Sequence, residues 1–242
     1  MKLLRGSLLI LGCSLIILSI SCDTAGVTAD EGQPPKDADG NAYVTISALS
    51  QEWFAENLRT TKFNDGTPID QVMDLAEWSS LDGPAFSYYD NDPDNAETYG
   101  ILYNGYAVAQ ENLCPKGWRI ASDEDYKKLE IVLGMSQDEA NNSFWRGTNE
   151  GSKLAIFKDL WVDGVLENDS QFGTSGFNGT PGGYRGDDGV FYYLGTHGYW
   201  WTSTEDTPGF LWSRGIFNED TRIARYSNNL KTGYCVRCIR DF

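Results

Sequence analysis

The chain has 242 residues, with 35 acidic against 19 basic side chains and a formal net charge of −16. So strong an acidic excess repels nucleic acid and anionic lipid headgroups, and we expect neither as a partner. The 8 Trp, 13 Tyr, 11 Phe and 26 Gly residues favour short strands, tight turns and irregular loops over a helical bundle.

The first 21 residues have the pattern of a secretion signal. Lys2 and Arg5 are followed by a largely apolar run from 8 to 20, which is shorter than the roughly 20 apolar residues that a membrane span needs. The run ends in Ser19-Ile20-Ser21-Cys22, which resembles the lipobox of bacterial lipoproteins. We therefore expect a signal peptide over 1–21, a lipidated Cys22 and export to the outer membrane or cell surface. An ordinary cleaved signal is the alternative.

The segment after the signal has the composition of a linker. Residues 22–36 are small, acidic and proline-containing without apolar periodicity, which predicts a flexible tether. Without Lys2 and Arg5 the chain keeps 17 basic against 35 acidic side chains, a net charge of −18. Residues 37–242 are enough for one domain with a full core.

Turn signals and apolar alternation predict the first elements of this domain. Residues 37–46 are typical of a turn and a strand, and 48–55 extend them into a β-hairpin. A turn at 64–68 precedes a predicted short helix over 71–80.

The strongest helix signal begins at Ser122. Asp125 stands where a capping box places an acid, and Gly134 is a natural stop. The apolar stripe at helical spacing consists of Tyr126, Leu129, Val132 and Leu133. A second short helix is predicted from Ser136, and strands are predicted at 191–194, 198–202, 210–213 and 235–239. Helices between strands predict an α+β fold.

Several sequence blocks, in order, resemble the Fibrobacter succinogenes major paralogous domain, a family of exported bacterial proteins. They include QEWFAENLRT at 51–60, LCPKGWR at 113–119, PGGYR at 181–185, GYWWTSTE at 198–205 and VRCIRD at 236–241, and the resemblance covers 37–242. The family is similar to the C-type-lectin-like fold shared with formylglycine-generating enzymes. The resemblance implies an α+β domain with short strands, one or two helices, long irregular loops and adjacent chain ends.

The cysteines are interpreted through the same resemblance. Cys114 and Cys238 both lie in family blocks, and an exported protein meets an oxidising compartment, so a disulfide between them is implied. Cys235 lies three residues before Cys238, and on a regular strand the two face opposite sides. Pairing of Cys114 with Cys235 is the alternative.

One acidic cluster is a candidate calcium site. Asp90, Asp92 and Asp94 alternate along the chain and supply the oxygen ligands that a hard cation prefers. A surface loop of Asx turns is the alternative interpretation.

Aromatic pairs on the predicted strands are the candidate ligand surface. Trp200 and Trp201, like Tyr192 and Tyr193, alternate faces, so we expect one member of each pair to be exposed. Exposed aromatic rings stack on sugars, and Trp200, Trp201, Tyr192 and Trp212 are the predicted binding residues. Core packing is the alternative.

The sequence carries little that predicts catalysis. His197 is the one histidine, and neither a Gly-x-Ser-x-Gly elbow nor a phosphate-binding loop is present. We predict a membrane-anchored surface lipoprotein with a non-catalytic binding or adhesion role, its partner a glycan or a surface protein. A structural subunit of a surface assembly and an enzyme with a loop-built site, related to formylglycine-generating enzymes, are the alternatives.

Overall fold

The computed structural model describes residues 33–48 and 51–242. The predicted signal peptide and Cys22 lie outside this part of the chain. Pro34 to Phe242 form one unit, which includes the last residues of the predicted tether. There the carbonyl of Pro35 accepts a hydrogen bond from the Tyr43 amide at 3.1 Å, and Lys36 pairs with Ala42. Among the described residues, no helix is long and apolar enough to cross a bilayer.

The described chain is a mixed α+β structure in which sheets predominate. The strands are β1 (Thr45–Ala48), β2 (Gln51–Phe54), β3 (Asp70–Gln71), β4 (Ala85–Ser87), β5 (Leu102–Asn104), β6 (Arg119–Ile120), β7 (Phe144–Arg146), β8 (Gly182–Arg185), β9 (Phe191–Leu194), β10 (His197–Thr207), β11 (Phe210–Phe217), β12 (Asp220–Asn229), β13 (Gly233–Tyr234) and β14 (Cys238–Asp241). The helices are α1 (Leu75–Ser80), α2 (Asn95–Tyr99), α3 (Gly105–Val108), α4 (Asp123–Val132), α5 (Gln137–Ala140) and α6 (Glu150–Leu154), with 3-10 turns at Tyr89–Asn91 and Lys158–Leu160. The described part thus holds more helices than the one or two expected, because most are single turns between strands.

A four-stranded sheet joins the two ends of the domain. Its order is β1-β2-β14-β6, with Ile239 of β14 opposite Trp53 of β2 and Cys238 opposite Ile120 of β6. Cys238 forms the disulfide with Cys114, the pairing that the sequence favoured, at a Cα–Cα distance of 5.9 Å. The last strand is therefore held by hydrogen bonds on both sides and by a covalent bond.

A larger sheet of ten strands carries most of the domain. Its order is β3-β4-β5-β13-β8-β10-β11-β12-β7, and β9 pairs with β8 outside this path. The long strands β10, β11 and β12 form an antiparallel meander. Side chains alternate between the two faces of a strand, so the register of this meander decides which residues share a face.

One face of the meander and of the adjoining β7 carries arginines that bind acids of α4. Arg214 donates to Asp123 at 2.8 Å and to Glu130 at 2.6 Å. Arg146 donates to Glu130, and Arg225 donates to Asp123, each at 2.8 Å. All five side chains are buried. Since a buried charge needs a partner, this network fixes α4 against the sheet.

The opposite face of the meander carries aromatic and small residues. Tyr199, Gly215 and Ala224 lie in register across β10, β11 and β12, and Trp145 of β7 continues the row. The small residues in the middle of this row let larger rings pack over the sheet, since the rings of Phe217 and Tyr199 lie 3.1 Å from where a Cβ of Gly215 would stand.

Candidate functional site: an aromatic pocket

The tryptophan pair predicted as a ligand surface lies in the core. Trp200 is 2% exposed and Trp201 is 0% exposed. The Trp200 Nε1 donates to Asn57 at 2.7 Å, and the Trp201 Nε1 donates to the carbonyl of Tyr103 at 2.8 Å. The two rings do face opposite sides of β10, but both sides are covered, so the expectation that one of them is exposed does not hold.

The other two predicted aromatic residues are partly buried. On β11, the Trp212 ring is covered by the Arg225 guanidinium, whose central carbon lies 3.4 Å from the ring centroid. Tyr192 of β9 stacks on Tyr184 with ring centroids 5.2 Å apart and donates its hydroxyl to Asp188 at 2.6 Å. Trp212 therefore lies on the face of the sheet that carries the arginines, which we call the arginine face. Tyr192 instead borders the pocket described below.

The three aspartates of the candidate calcium site are all exposed. Asp90 lies in the 3-10 turn with a positive φ of 53°, and the Asp92 carboxylate accepts a hydrogen bond from the Asp94 amide at 3.0 Å. In the described part of the chain, no three His, Cys, Asp or Glu side chains are grouped so as to hold a metal ion. Calcium at these aspartates stays a prediction.

Cys235 keeps a free thiol in the core. Its Sγ lies 3.3 Å from the carbonyl of Tyr99, and burial raises the pKa of the thiol to about 12. Because the thiolate is the reactive form, this cysteine is poorly suited to attack a substrate.

The aromatic face of the larger sheet forms a pocket of about 530 Å³. Its aromatic lining is Trp145 of β7, Tyr184 of β8, Tyr193 of β9, His197 and Tyr199 of β10, Phe217 of β11, Tyr226 of β12 and Tyr234 of β13. Its polar lining is Glu219 from the β11–β12 turn with Asp220 and Asn228 of β12. Seven strands thus contribute, and we call this site the aromatic pocket.

The rings of the aromatic pocket pack against one another. Tyr199 and Tyr234 stack with centroids 4.8 Å apart, and Tyr184 meets their edges at 5.2 and 5.7 Å. His197 lies between Tyr193, stacked at 4.2 Å, and Phe217, edge-on at 4.2 Å. Such offset and edge contacts add stability beyond area burial, so the pocket wall is ordered before any ligand arrives.

Exposure changes from the rim of the pocket to its floor. Tyr193 is 51% exposed at the rim, whereas Tyr199 is 8% and Tyr234 is 3% exposed. Within residues 33–48 and 51–242, the hydroxyls of Tyr184 and Tyr226 have no hydrogen-bond partner, and neither has that of Tyr234. None of these three oxygens is sealed from solvent, so each can form a hydrogen bond with a polar ligand that enters the pocket.

Burial keeps His197 and the two floor tyrosines, Tyr199 and Tyr234, neutral at ordinary pH. It lowers the pKa of His197 to about 4, so the imidazole carries no charge. It raises the pKa of Tyr199 and of Tyr234 well above the usual range, with nearby tyrosines adding to the effect. The Tyr199 hydroxyl and the His197 Nδ1 lie 3.3 Å apart. The pocket therefore offers ring faces and neutral hydroxyl groups.

Sequence reasoning missed most of this lining. The signal that could have found it is alternation along strands, with His197 and Tyr199 two apart on β10 and Tyr226 and Asn228 two apart on β12. The adjacent Trp200 and Trp201 predict a strand at β10 but do not indicate which of its residues face the pocket.

One comparison with known proteins identifies the domain. A family model described as the Fibrobacter succinogenes major domain matches residues 46–240. No curated protein and no solved structure matches the chain. Because the family model spans well over half of the sequence, and includes the strands that build the aromatic pocket, the chain belongs to the Fibrobacter succinogenes major domain family.

Proposed function

We propose that this protein is a membrane-anchored surface lipoprotein whose domain binds saccharides without transforming them. The observation that carries the proposal is the aromatic pocket, where ring faces and unpartnered hydroxyls converge on about 530 Å³. Sugars present C–H faces that pack on aromatic rings and hydroxyls that need polar partners. Tyrosine supplies both kinds of contact from one side chain.

The close packing of the pocket side chains also supports this function. Tyr184, Tyr199 and Tyr234 hold one another in place through stacked and edge contacts. A ligand that enters does not have to immobilise these side chains, which lowers the entropic cost of binding. The site is therefore suited to recognition of a rigid, polar and ring-shaped molecule.

The finer fold assignment, a C-type-lectin-like domain, belongs to the same proposal. Its support is the pairing of β14 with β2, which brings the two ends of the domain together, and the Cys114–Cys238 disulfide beside them. The long connection between α6 and β8, which holds only a 3-10 turn, is the irregular loop that such a domain would contain.

A glycan array tests saccharide binding with a matched pair of variants. Tyr193→Ala removes a rim ring and should weaken binding of any bound glycan by roughly three- to tenfold, the size of one stacking contact. Phe210→Ala is the control, because Phe210 is 42% exposed, close to the 51% of Tyr193, and lies outside the pocket lining. Its binding should equal that of the wild type.

Two array results would contradict the proposal. One is a wild-type protein that binds no glycan and instead captures a surface protein stably, which would favour a structural subunit. The other is equal loss of binding in Tyr193→Ala and Phe210→Ala, which would place the ligand elsewhere.

The lipid anchor has its own test. Cells that express the wild type with radiolabelled palmitate should yield a labelled protein in the membrane fraction, and Cys22→Ser should yield an unlabelled one. Equal labelling of the two would mean that Cys22 is not the lipidated residue.

A further inference from the structure

We infer that the aromatic pocket sorts saccharides by charge, binding amino sugars more tightly than neutral sugars and neutral sugars more tightly than uronic acids. The inference rests on the proposed saccharide binding and names the class of sugar. It follows from how charge is distributed over the two faces of one sheet.

The pocket lining carries a net negative charge. Asp220 is paired with Arg222, whose Nη2 lies 2.6 Å from the carboxylate, so this pair is close to neutral. Glu219 lies beside this pair at the β11–β12 turn, and its side chain is exposed. In the described part of the chain, no Lys, Arg or His side chain lies within salt-bridge distance of Glu219. One carboxylate is thus left to face a ligand.

Two arginines of the same strands, Arg214 and Arg225, point away from the pocket, whereas Arg222 lies on the pocket face and is paired with Asp220. Arg214 stands opposite Trp200 and Arg225 in the register of the meander, whereas Tyr199 stands opposite Gly215. Residues on alternate positions face opposite sides, so these arginines lie behind the pocket. There their charges are taken up by Asp123 and Glu130.

The groups that remain in the pocket do not offset this negative charge. His197 is neutral because it is packed between two rings, and burial keeps the protons on Tyr199 and Tyr234. Aromatic faces attract cations through their negative quadrupole. An ammonium group on a sugar is therefore favoured by the rings and by Glu219, whereas a carboxylate is opposed by both.

The field of the whole chain acts in the same direction. The formal net charge is −16, so acidic saccharides meet repulsion before they reach the pocket, and amino sugars are attracted. This long-range part is screened within about 10 Å at 0.1 M salt, whereas the local effect of Glu219 is less sensitive to it.

The test is a titration of the full chain with three matched series of methyl glycosides, built on glucose, galactose and mannose. Each series contains the neutral sugar, its 2-amino analogue and its 6-carboxylate, and binding is followed by NMR at a pH where the amine is protonated. We expect each step of the order to be at least about threefold in affinity at low salt. Glu219→Gln should remove most of the difference in affinity between the three sugars of a series. Glu77 is an exposed acid of α1 outside the pocket lining, so Glu77→Gln should leave the difference unchanged.

The outcomes separate this inference from the proposed function. Equal affinities within a series, or tighter binding of the carboxylates, would overturn charge selection and leave saccharide binding in place. Loss of the order in Glu77→Gln as well as in Glu219→Gln would overturn its origin in the pocket. Failure of every glycoside to bind would overturn both.

Discussion

At His197, burial rather than a charged partner sets the protonation state of the aromatic pocket. The imidazole is packed between Tyr193 and Phe217, and removal from water disfavours its charged form. The sequence identifies His197 as the one histidine of the chain but not its place in a tyrosine cluster, because that place depends on partners from β9 and β11.

Replacement of His197 by Gln should flatten the pH dependence of stability between about pH 7 and pH 4.5. Folding lowers the pKa of this histidine from 6.5 to about 4. The unfolded chain therefore binds more protons in this window, and the wild-type free energy of unfolding falls as the pH drops from 6.5 towards 4. Urea unfolding of both proteins across this range measures the difference.

The buried carboxylate of Asp125 affects stability in a lower pH window than His197. Burial would raise the pKa of Asp125, but hydrogen bonds from Arg119 and Ser122 lower it from 3.8 to about 2. Its stabilising effect is present above pH 3.8 and is lost as the pH falls through 2. A slope above pH 4.5 that persists in His197→Gln would contradict the role given to this histidine.

Among the elements, α4 could be predicted in detail because its signals are local. Ser122 caps the helix, and the capping box with Asp125 is formed on both sides, as the spacing indicates. Val132, which the spacing places in the apolar stripe, is 49% exposed. It lies six positions after Tyr126, which is about 240° around the helix, so it falls outside the face that Tyr126 and Leu129 define.

The strand β12 could not be predicted, because its pattern depends on distant partners. Arg222 and Arg225 interrupt the apolar alternation of Asp220–Asn229, and charged residues normally mark exposed segments. Arg225 is nevertheless buried, since Asp123 of α4 binds it with two hydrogen bonds of 2.8 Å. A buried charge can be read from sequence only when its counter-charge is known.

Replacement of Arg214 by Met tests the arginine face of the sheet. It removes the cation that bridges Asp123 and Glu130 and should lower the free energy of unfolding by about 3–5 kcal/mol, because buried carboxylates lose a partner. Arg222→Met is the matched control, since that side chain is 43% exposed and its pair with Asp220 should contribute at most about 1 kcal/mol. Equal losses in urea unfolding would contradict the distinction.

For the whole molecule, one covalent bond links the start of the central helical segment to the last strand. Cys114 and Cys238 are 124 positions apart, and β14 pairs with β2 at the other end of the domain. The family blocks made this pairing predictable. The aromatic pocket was not, because it needs the register of seven strands from β7 to β13, and a side chain that slips by one position faces the opposite side.

Reduction of this disulfide should destabilise the domain by up to about 5 kcal/mol, the effect expected from opening so long a loop in the unfolded chain. Urea unfolding with and without reductant measures the change in the wild type, and Cys238→Ser should be insensitive to reductant. Cys235→Ala is the control and should keep the wild-type response, because its thiol is free. Loss of the response in Cys235→Ala would mean that Cys235 takes part in the bond.

The central claim is that the aromatic pocket is where the protein meets a saccharide, and a crystal structure of the complex with an array-positive oligosaccharide tests it most directly. The account predicts a sugar ring packed on Tyr193 or Tyr184, with hydroxyls bonded to Tyr226 or Tyr234 and no rearrangement of the pocket wall. A sugar seated instead in the cavity of about 550 Å³ lined by Val108, Leu211 and Leu230 would contradict it.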